Sequence, residues 1–289
     1  MMLMKTSTIT LVIFGASGDL TQRKLIPALH SLDCEDRLPE DLNVLGVGRT
    51  QLSDAQFRDM LKQAAKEHAR LKPVEWEVFK QRLSYLSGGY DDPETYDRIR
   101  TRSQGNLIFY MAVPPSVVPT IVTQLGDSGL NDSDSGWQRI VVEKPFGRDL
   151  QSAQALNASL HNVFDEKQIY RIDHYLGKET VQNILALRFA NAIFEPLWNL
   201  KYIDHVQIMV TEEIGIGYRS EYYDQAGVLR DIFQNHLLQL LTLITIEPPV
   251  LWEADSLRDE KVKLLQSLRP VERSMRAQYS GDAETKSYL

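Results

Sequence analysis

The 289-residue sequence predicts an α/β fold, in which a doubly wound parallel sheet is followed by an incomplete α+β domain. Three observations predict it. Short apolar runs rich in β-branched residues recur through the first half, and helical patterns separate them, as in a parallel sheet with crossover helices. After about residue 172 the pattern turns mixed, with long helical stretches and little strand character. The length suits one large domain or two ordinary ones, which places the domains at residues 1–172 and 173–289.

The first run, Ile9 to Phe14, is bounded by Gly15 and reads as a buried parallel strand. A helical pattern from about Asp19 to Leu32 follows, with Leu20, Leu25, Ile26 and Leu29 as its apolar face, and Pro27 inside it predicts a kink or an early break. Asn43 to Gly48 is the second strand, and Ser53 with Gln56 has the spacing of a capping box that opens the next helix. Asp92-Pro93 is a helix start in which a capping residue precedes proline. Asn106 to Val113 and Gln138 to Glu143 are further strands, the second followed by a helix from about Asp149.

Beyond residue 172, Lys178 to Asn191 reads as a helix and Tyr202 to Val210 as a half-exposed strand. Ala226 to Thr245 is a long apolar helix expected to be largely buried. No repeats or low-complexity tracts interrupt the chain.

Composition narrows the function classes. Hydrophobic residues at 43% and charged residues at 25% are globular values, which argues against disorder and fibrous structure. The formal charge, 32 − 39 = −7, speaks against a nucleic-acid binder. A single cysteine, Cys34, permits no intrachain disulfide and suits a reducing compartment. The amino-terminal apolar run is far shorter than the roughly 20 residues of a membrane helix and has no signal-peptide cleavage pattern. The expectation is a cytoplasmic protein with no membrane or nucleic-acid partner and no metal.

Gly15-Ala-Ser-Gly18-Asp-Leu lies between the first strand and the first helix. Small residues there let the backbone approach a pyrophosphate, and the free N–H groups of the helix start attract it. The spacing is Gly-x-x-Gly rather than Gly-x-Gly-x-x-Gly, and the same residues would also make a plain strand–helix turn. The second strand runs into Gly48-Arg49-Thr50. An acidic residue there usually binds the ribose of NAD, whereas an arginine pairs with the extra phosphate of NADP. Arg49 alone is also what a solvated loop cation looks like. Together the two features favour NADP on a Rossmann-type sheet.

Glu143-Lys144-Pro145-Phe-Gly147 ends a strand where ligands of such sheets bind, which aims Lys144 into the cleft and makes the X–Pro bond a candidate for the cis form. A strand end followed by a turn has the same local pattern. Arg171-Ile-Asp-His-Tyr-Leu-Gly-Lys178 places His174 and Lys178 at i and i+4 with Tyr175 between them, a plausible phosphate clamp and equally a charged surface turn. In the helix from Ala226, Asp231, Asn235 and Gln239 fall at i, i+4 and i+8 as one polar stripe with His236 beside it. Buried polar groups need partners or a wet cleft, so this stripe points to a site.

Gly15-Ala-Ser-Gly-Asp-Leu, Glu143-Lys-Pro-Phe-Gly, Arg171-Ile-Asp-His-Tyr-Leu-Gly-Lys-Glu and Arg230-Asp-Ile-Phe-Gln-Asn-His236 follow one another in the order found in the glucose-6-phosphate dehydrogenase family, which the whole chain resembles. The resemblance implies oxidation of D-glucose 6-phosphate to 6-phospho-D-glucono-1,5-lactone with NADP+, the first step of the pentose phosphate pathway. It makes His236 the general base and Asp173 its carboxylate partner. It gives His174, Tyr175 and Lys178 to the sugar phosphate, and Lys24, Lys144, Glu212 and Asp231 to the sugar hydroxyls. Coenzyme contacts fall on Gly15, Ser17, Gly18, Asp19, Leu20 and Arg49, with Lys24 and Lys144 close by.

Two departures from the family accompany this. Family members continue well beyond the region of Lys286-Ser-Tyr-Leu289, and the further part carries most of the second domain's sheet, another phosphate lysine and the dimer surface. The expectation is a chain truncated at its C-terminus relative to the family, with turnover and homo-oligomerisation left open. Tyr218-Arg-Ser-Glu-Tyr-Tyr223 replaces a glycine-richer stretch. The alternatives are a catalytically incompetent NADP-binding homologue and a sugar oxidoreductase of the inositol dehydrogenase type, which also uses Glu-Lys-Pro.

Overall fold

A computed structural model of the protein describes residues 8–68, 72–132, 136–211 and 226–275. The chain divides into two compact units, Met1–Ile172 and Asp173–Leu289.

Among its described residues the first unit is built on six parallel strands: β1 (Ile9–Phe14), β2 (Leu42–Gly48), β3 (Leu83–Ser87), β4 (Asn106–Met111), β5 (Gln138–Val142) and β6 (Ile169–Arg171). Their order is β3-β2-β1-β4-β5-β6. Phe14 at the end of β1 stands opposite Val47 of β2 and Met111 of β4. The chain winds outward in one direction through β2 and β3 and in the other through β4 to β6. A crevice therefore opens at the carboxyl ends of β1 and β4, where such sheets bind ligands.

Alternating side chains of β1 serve two cores, as the pleat requires. Leu11 and Ile13 pack with Ile26, Phe57, Leu61, Trp76 and Phe79 on one face, whereas Val12 and Phe14 pack with Tyr96, Ile99, Ile121, Leu125, Leu156 and Phe164 on the other. The helices supplying these residues are α1 (Ile26–Cys34), α2 (Asp54–His68), α3 (Pro73–Phe79), α4 (Pro93–Arg102), α5 (Val118–Asp127) and α6 (Leu150–His161), with Phe164 in the turn that follows α6.

The predicted caps are present. The side chain of Gln56 accepts from the Ser53 backbone at 2.9 Å, and Asp92 and Asp149 cap α4 and α6 by accepting from the backbone N–H groups of Glu94 and Ser152. The irregularity expected around Pro27 is a π-helical turn, Thr21–Leu25, immediately before α1. Proline cannot donate to the carbonyl four residues back, and the wider turn takes up that break without ending the helix.

The second unit is helical among its described residues. A 3₁₀ turn (His174–Gly177) leads into α7 (Glu179–Phe189). The segment from 226 continues as a π-helix (Leu229–Leu237) into α8 (Leu238–Thr245), and α9 (Ala254–Ser267) follows. Two expectations need correction. Tyr202 to Val210 is not a strand, because its alternation has no pairing partner among the described residues. The helix from Ala226 is not largely buried. Val228 and Leu229 are more than half exposed, whereas Asp231 and His236 are buried.

That inversion comes from the register. In an α-helix Asp231, Asn235 and Gln239 would share a face, but π-helical bonding runs i to i+5 and brings Asp231 and His236 onto the same inward side. Buried Arg188 of α7 secures the end of α8 by donating to the carbonyls of Leu243 at 2.9 Å and Ile246 at 2.7 Å. Hydrogen bonds from a charged group contribute about 1.5–3 kcal/mol each, and these two satisfy carbonyls that a helix terminus leaves open.

Candidate active site

The candidate residues fall into two groups, one in each unit. In the second unit Asp173 begins the 3₁₀ turn, and its Oδ1 accepts from the Tyr175 backbone N–H at 3.0 Å. The same oxygen faces His236 Nδ1 at 2.6 Å across 63 residues of sequence. A carboxylate only accepts, so this contact places the proton on Nδ1 and leaves the lone pair on Nε2. His236 is fully buried, and Asp173 is 11% exposed at the side chain.

Aromatic rings hold the imidazole flat. The Tyr175 ring stacks on it with centroids 4.1 Å apart and 13° between planes, and His174 meets it edge-on at 4.8 Å. The ammonium of Lys178 lies 3.6 Å from the Tyr175 centroid, in cation–π range. His174 and Lys178 are exposed, so both remain open to an anion beside the buried pair. The ligand atoms of Asp173, His174 and His236 lie within 4.8 Å of one another, a spacing that also suits a cation. Oδ1 and Nδ1 are engaged with each other, and that arrangement serves proton transfer. Asp231 is buried one π-helical turn before His236, and Glu212 lies outside the described residues, as does the stretch 218–223.

Arg171, first residue of the motif, belongs to the first unit. It grips Glu166 with both terminal nitrogens, at 2.7 and 3.1 Å. That pairing, reinforced by His161, lowers the Glu166 carboxyl to about 2. Arg171 is therefore a structural clamp at the end of β6.

The coenzyme candidates cluster at the crevice of the first unit. Gly15 has φ +85°, a conformation that L-residues rarely adopt, and a Cβ there would lie 2.1 Å from the carbonyl oxygen of Ala112. Its N–H donates to Val47 O, and Gly18 N–H closes the turn on Gly15 O at 2.9 Å. Asp19 and Leu20 open the helix that follows, and Lys24 is exposed within its π-turn. Ser17 Oγ lies 3.2 Å from Thr50 Oγ1, which ties this loop to the residue after Arg49. Arg49 is exposed, and no carboxylate among the described residues pairs with it. A tight glycine cradle beside an exposed guanidinium fits a pyrophosphate and a ribose phosphate. Lys144 follows β5 through Glu143, whose carboxylate accepts from Tyr110, and the Lys144–Pro145 bond is cis.

Sequence reasoning missed Tyr90. It is partly buried, its ring lies 5.9 Å from the Arg49 guanidinium, and burial pushes its phenol up while the Arg49 charge opposes the shift. An aromatic residue in the loop after a strand gives no local signal of this.

Residues 12–183 match the family described as glucose-6-phosphate dehydrogenase, NAD binding domain, and residues 185–289 match its C-terminal domain. A glucose-6-phosphate 1-dehydrogenase of Aggregatibacter actinomycetemcomitans is 49% identical over 277 residues, 93% of this chain and 56% of that protein. One from Treponema pallidum is 48% identical over 287 residues, with the same shares covered. A solved glucose-6-phosphate dehydrogenase in complex with its substrate glucose-6-phosphate superposes with a TM-score of 0.88 at 37% identity, covering 98% of this chain and 61% of that one. The chain spans about half the length of the curated relatives it matches. No helix among the described residues is long and apolar enough to cross a membrane.

Proposed function

The chain belongs to the glucose-6-phosphate dehydrogenase family, and from that premise we propose that it oxidises D-glucose 6-phosphate to 6-phospho-D-glucono-1,5-lactone with NADP+ in the cytoplasm. The observation that carries this reading is the buried pair of His236 Nδ1 and Asp173 Oδ1 at 2.6 Å. Asp173 fixes the imidazole with its proton on Nδ1 and its lone pair on Nε2, and Nε2 takes the proton of the anomeric hydroxyl. As the proton leaves, the anomeric C–H pair of electrons departs as hydride and the carbonyl of the lactone forms. NADP+, when bound, supplies the hydride acceptor. Asp173 then stabilises the imidazolium without itself taking the proton.

His174, Tyr175 and Lys178 hold the sugar phosphate, and Lys24, Lys144, Glu212 and Asp231 the hydroxyls. Gly15, Ser17, Gly18, Asp19 and Leu20 would cradle the pyrophosphate of NADP, Arg49 would hold its extra phosphate, and Lys144 would contact the coenzyme as well. General-base assistance of this kind contributes about 10²–10⁴-fold. Absorbance at the NADPH band, with glucose 6-phosphate compared with free glucose and inositol, tests the reading. Formation of NADPH with the phosphorylated sugar alone is the expected result, and preference for an unphosphorylated sugar overturns it.

The cradle has its own test. Gly15→Ala forces a Cβ into the Ala112 carbonyl and holds an L-residue at positive φ, at a cost of about 1–2 kcal/mol before the clash is counted. The expected result is a dissociation constant for NADP+ weakened by about tenfold or more, read as loss of the NADP+-induced rise in Tm. An unchanged rise would remove the pyrophosphate from this loop.

A further inference from the structure

Helix α9 carries three cations, Arg258, Lys261 and Lys263. Arg258 and Lys263 pair with Asp255 and Glu260 one turn back, as solvated helix cations do. Lys261 turns inward instead. Its Nζ donates to Gln239 Oε1 at 3.0 Å, and Gln239 stands on α8 three residues after His236. Lys261 also lines a cavity of about 620 Å³ with Leu176, the third residue of the turn that Asp173 caps, against the apolar walls of Leu185, Phe189, Leu243 and Trp252.

Asp173 needs a positive charge nearby. Its Oδ1 already takes both the Tyr175 N–H and His236 Nδ1, and its Oδ2 is buried with no hydrogen-bond partner among the described residues. A buried carboxylate oxygen without a donor is costly, and a cation in its field offsets that cost. Burial lowers the pKa of Lys261, with Arg258 acting in the same direction, and the Asp173 charge opposes both. Lys261 thus shares a cavity with the turn that Asp173 caps.

We propose that Lys261 is a positioning residue: anchored by Gln239, its ammonium supplies the countercharge that holds the Asp173 carboxylate aimed at His236. This rests on the reading of His236 as the base. The stretch of sequence gives no hint of it, since Arg-Asp-Glu-Lys-Val-Lys reads as a solvated helix face.

The full chain carrying K261M or K261R tests this by two readouts. The first is the downfield proton resonance of a carboxylate-bonded imidazole Nδ1–H, assigned by its loss in D173N. The second is glucose 6-phosphate turnover. K261M is expected to lose the resonance and lower kcat by about tenfold with KM little changed, while K261R restores both. If K261M does not fold, Gln239→Met, which frees the ammonium without removing it, is expected to weaken the resonance and kcat in the same way. Retention of resonance and kcat in the folded variant overturns the inference. So does a K261R no better than K261M, because packing rather than charge would then matter. If the parent chain has no turnover but the resonance still follows the charge at 261, the function reading fails and the positioning role stands.

Discussion

His236→Asn is expected to lower kcat for glucose 6-phosphate by about 10²–10⁴-fold, while sugar phosphate binding stays within about threefold. An asparagine amide keeps a donor for Asp173 Oδ1, where Nδ1 now sits at 2.6 Å, so the local hydrogen bond survives. It places no lone pair where Nε2 stood, so nothing accepts the anomeric proton. The candidate phosphate contacts lie outside the imidazole. Lys178 is held against the Tyr175 ring, and His174 is exposed. Steady-state rates together with direct titration of glucose 6-phosphate separate the two effects. A variant with near-normal kcat removes His236 from the role of base, and one whose binding collapses with its rate makes His236 a substrate contact instead.

The fold was legible wherever burial on both faces of the sheet imposes a plain pattern. Ile9 to Phe14 is read to the residue because an apolar β-branched run there meets a glycine that must turn. β3 and β6 were missed because both lie at the edges of the sheet: Ser84 and Ser87 break up the apolar run of Leu83–Ser87, and Ile169–Arg171 is only three residues long. The helix bearing His236 misled through its period. Reading it at 3.6 residues per turn groups Asp231 with Asn235, whereas the π-helix groups it with His236.

The dyad itself has no local signature. Asp173 and His236 are 63 residues apart, and only the family resemblance paired them before the geometry did. Lys261 was beyond reach for a related reason. Whether a helix cation pairs one turn back or points inward depends on what another helix presents, here Gln239.

Asp173→Asn is expected to cost nearly as much turnover as loss of the base, about 10²–10⁴-fold in kcat, with little change in KM. The substitution changes charge and donors but hardly any volume, so the backbone can stay in place. One amide orientation keeps the oxygen on the Tyr175 N–H and His236, as now, and puts the NH₂ in the pocket of Oδ2, where the described residues offer no partner. That leaves buried donors unsatisfied, at about 1–3 kcal/mol of stability. The other orientation presents N–H to Nδ1. The imidazole must then accept there and carry its proton on Nε2, the tautomer that cannot act as the base. Either way the imidazolium formed during the reaction loses its anionic neighbour. Because Asp173 acts through His236, D173N combined with H236N is expected to be no slower than H236N alone. A double variant slower by the product of the two single effects would show that Asp173 works independently of His236, and would sink the dyad.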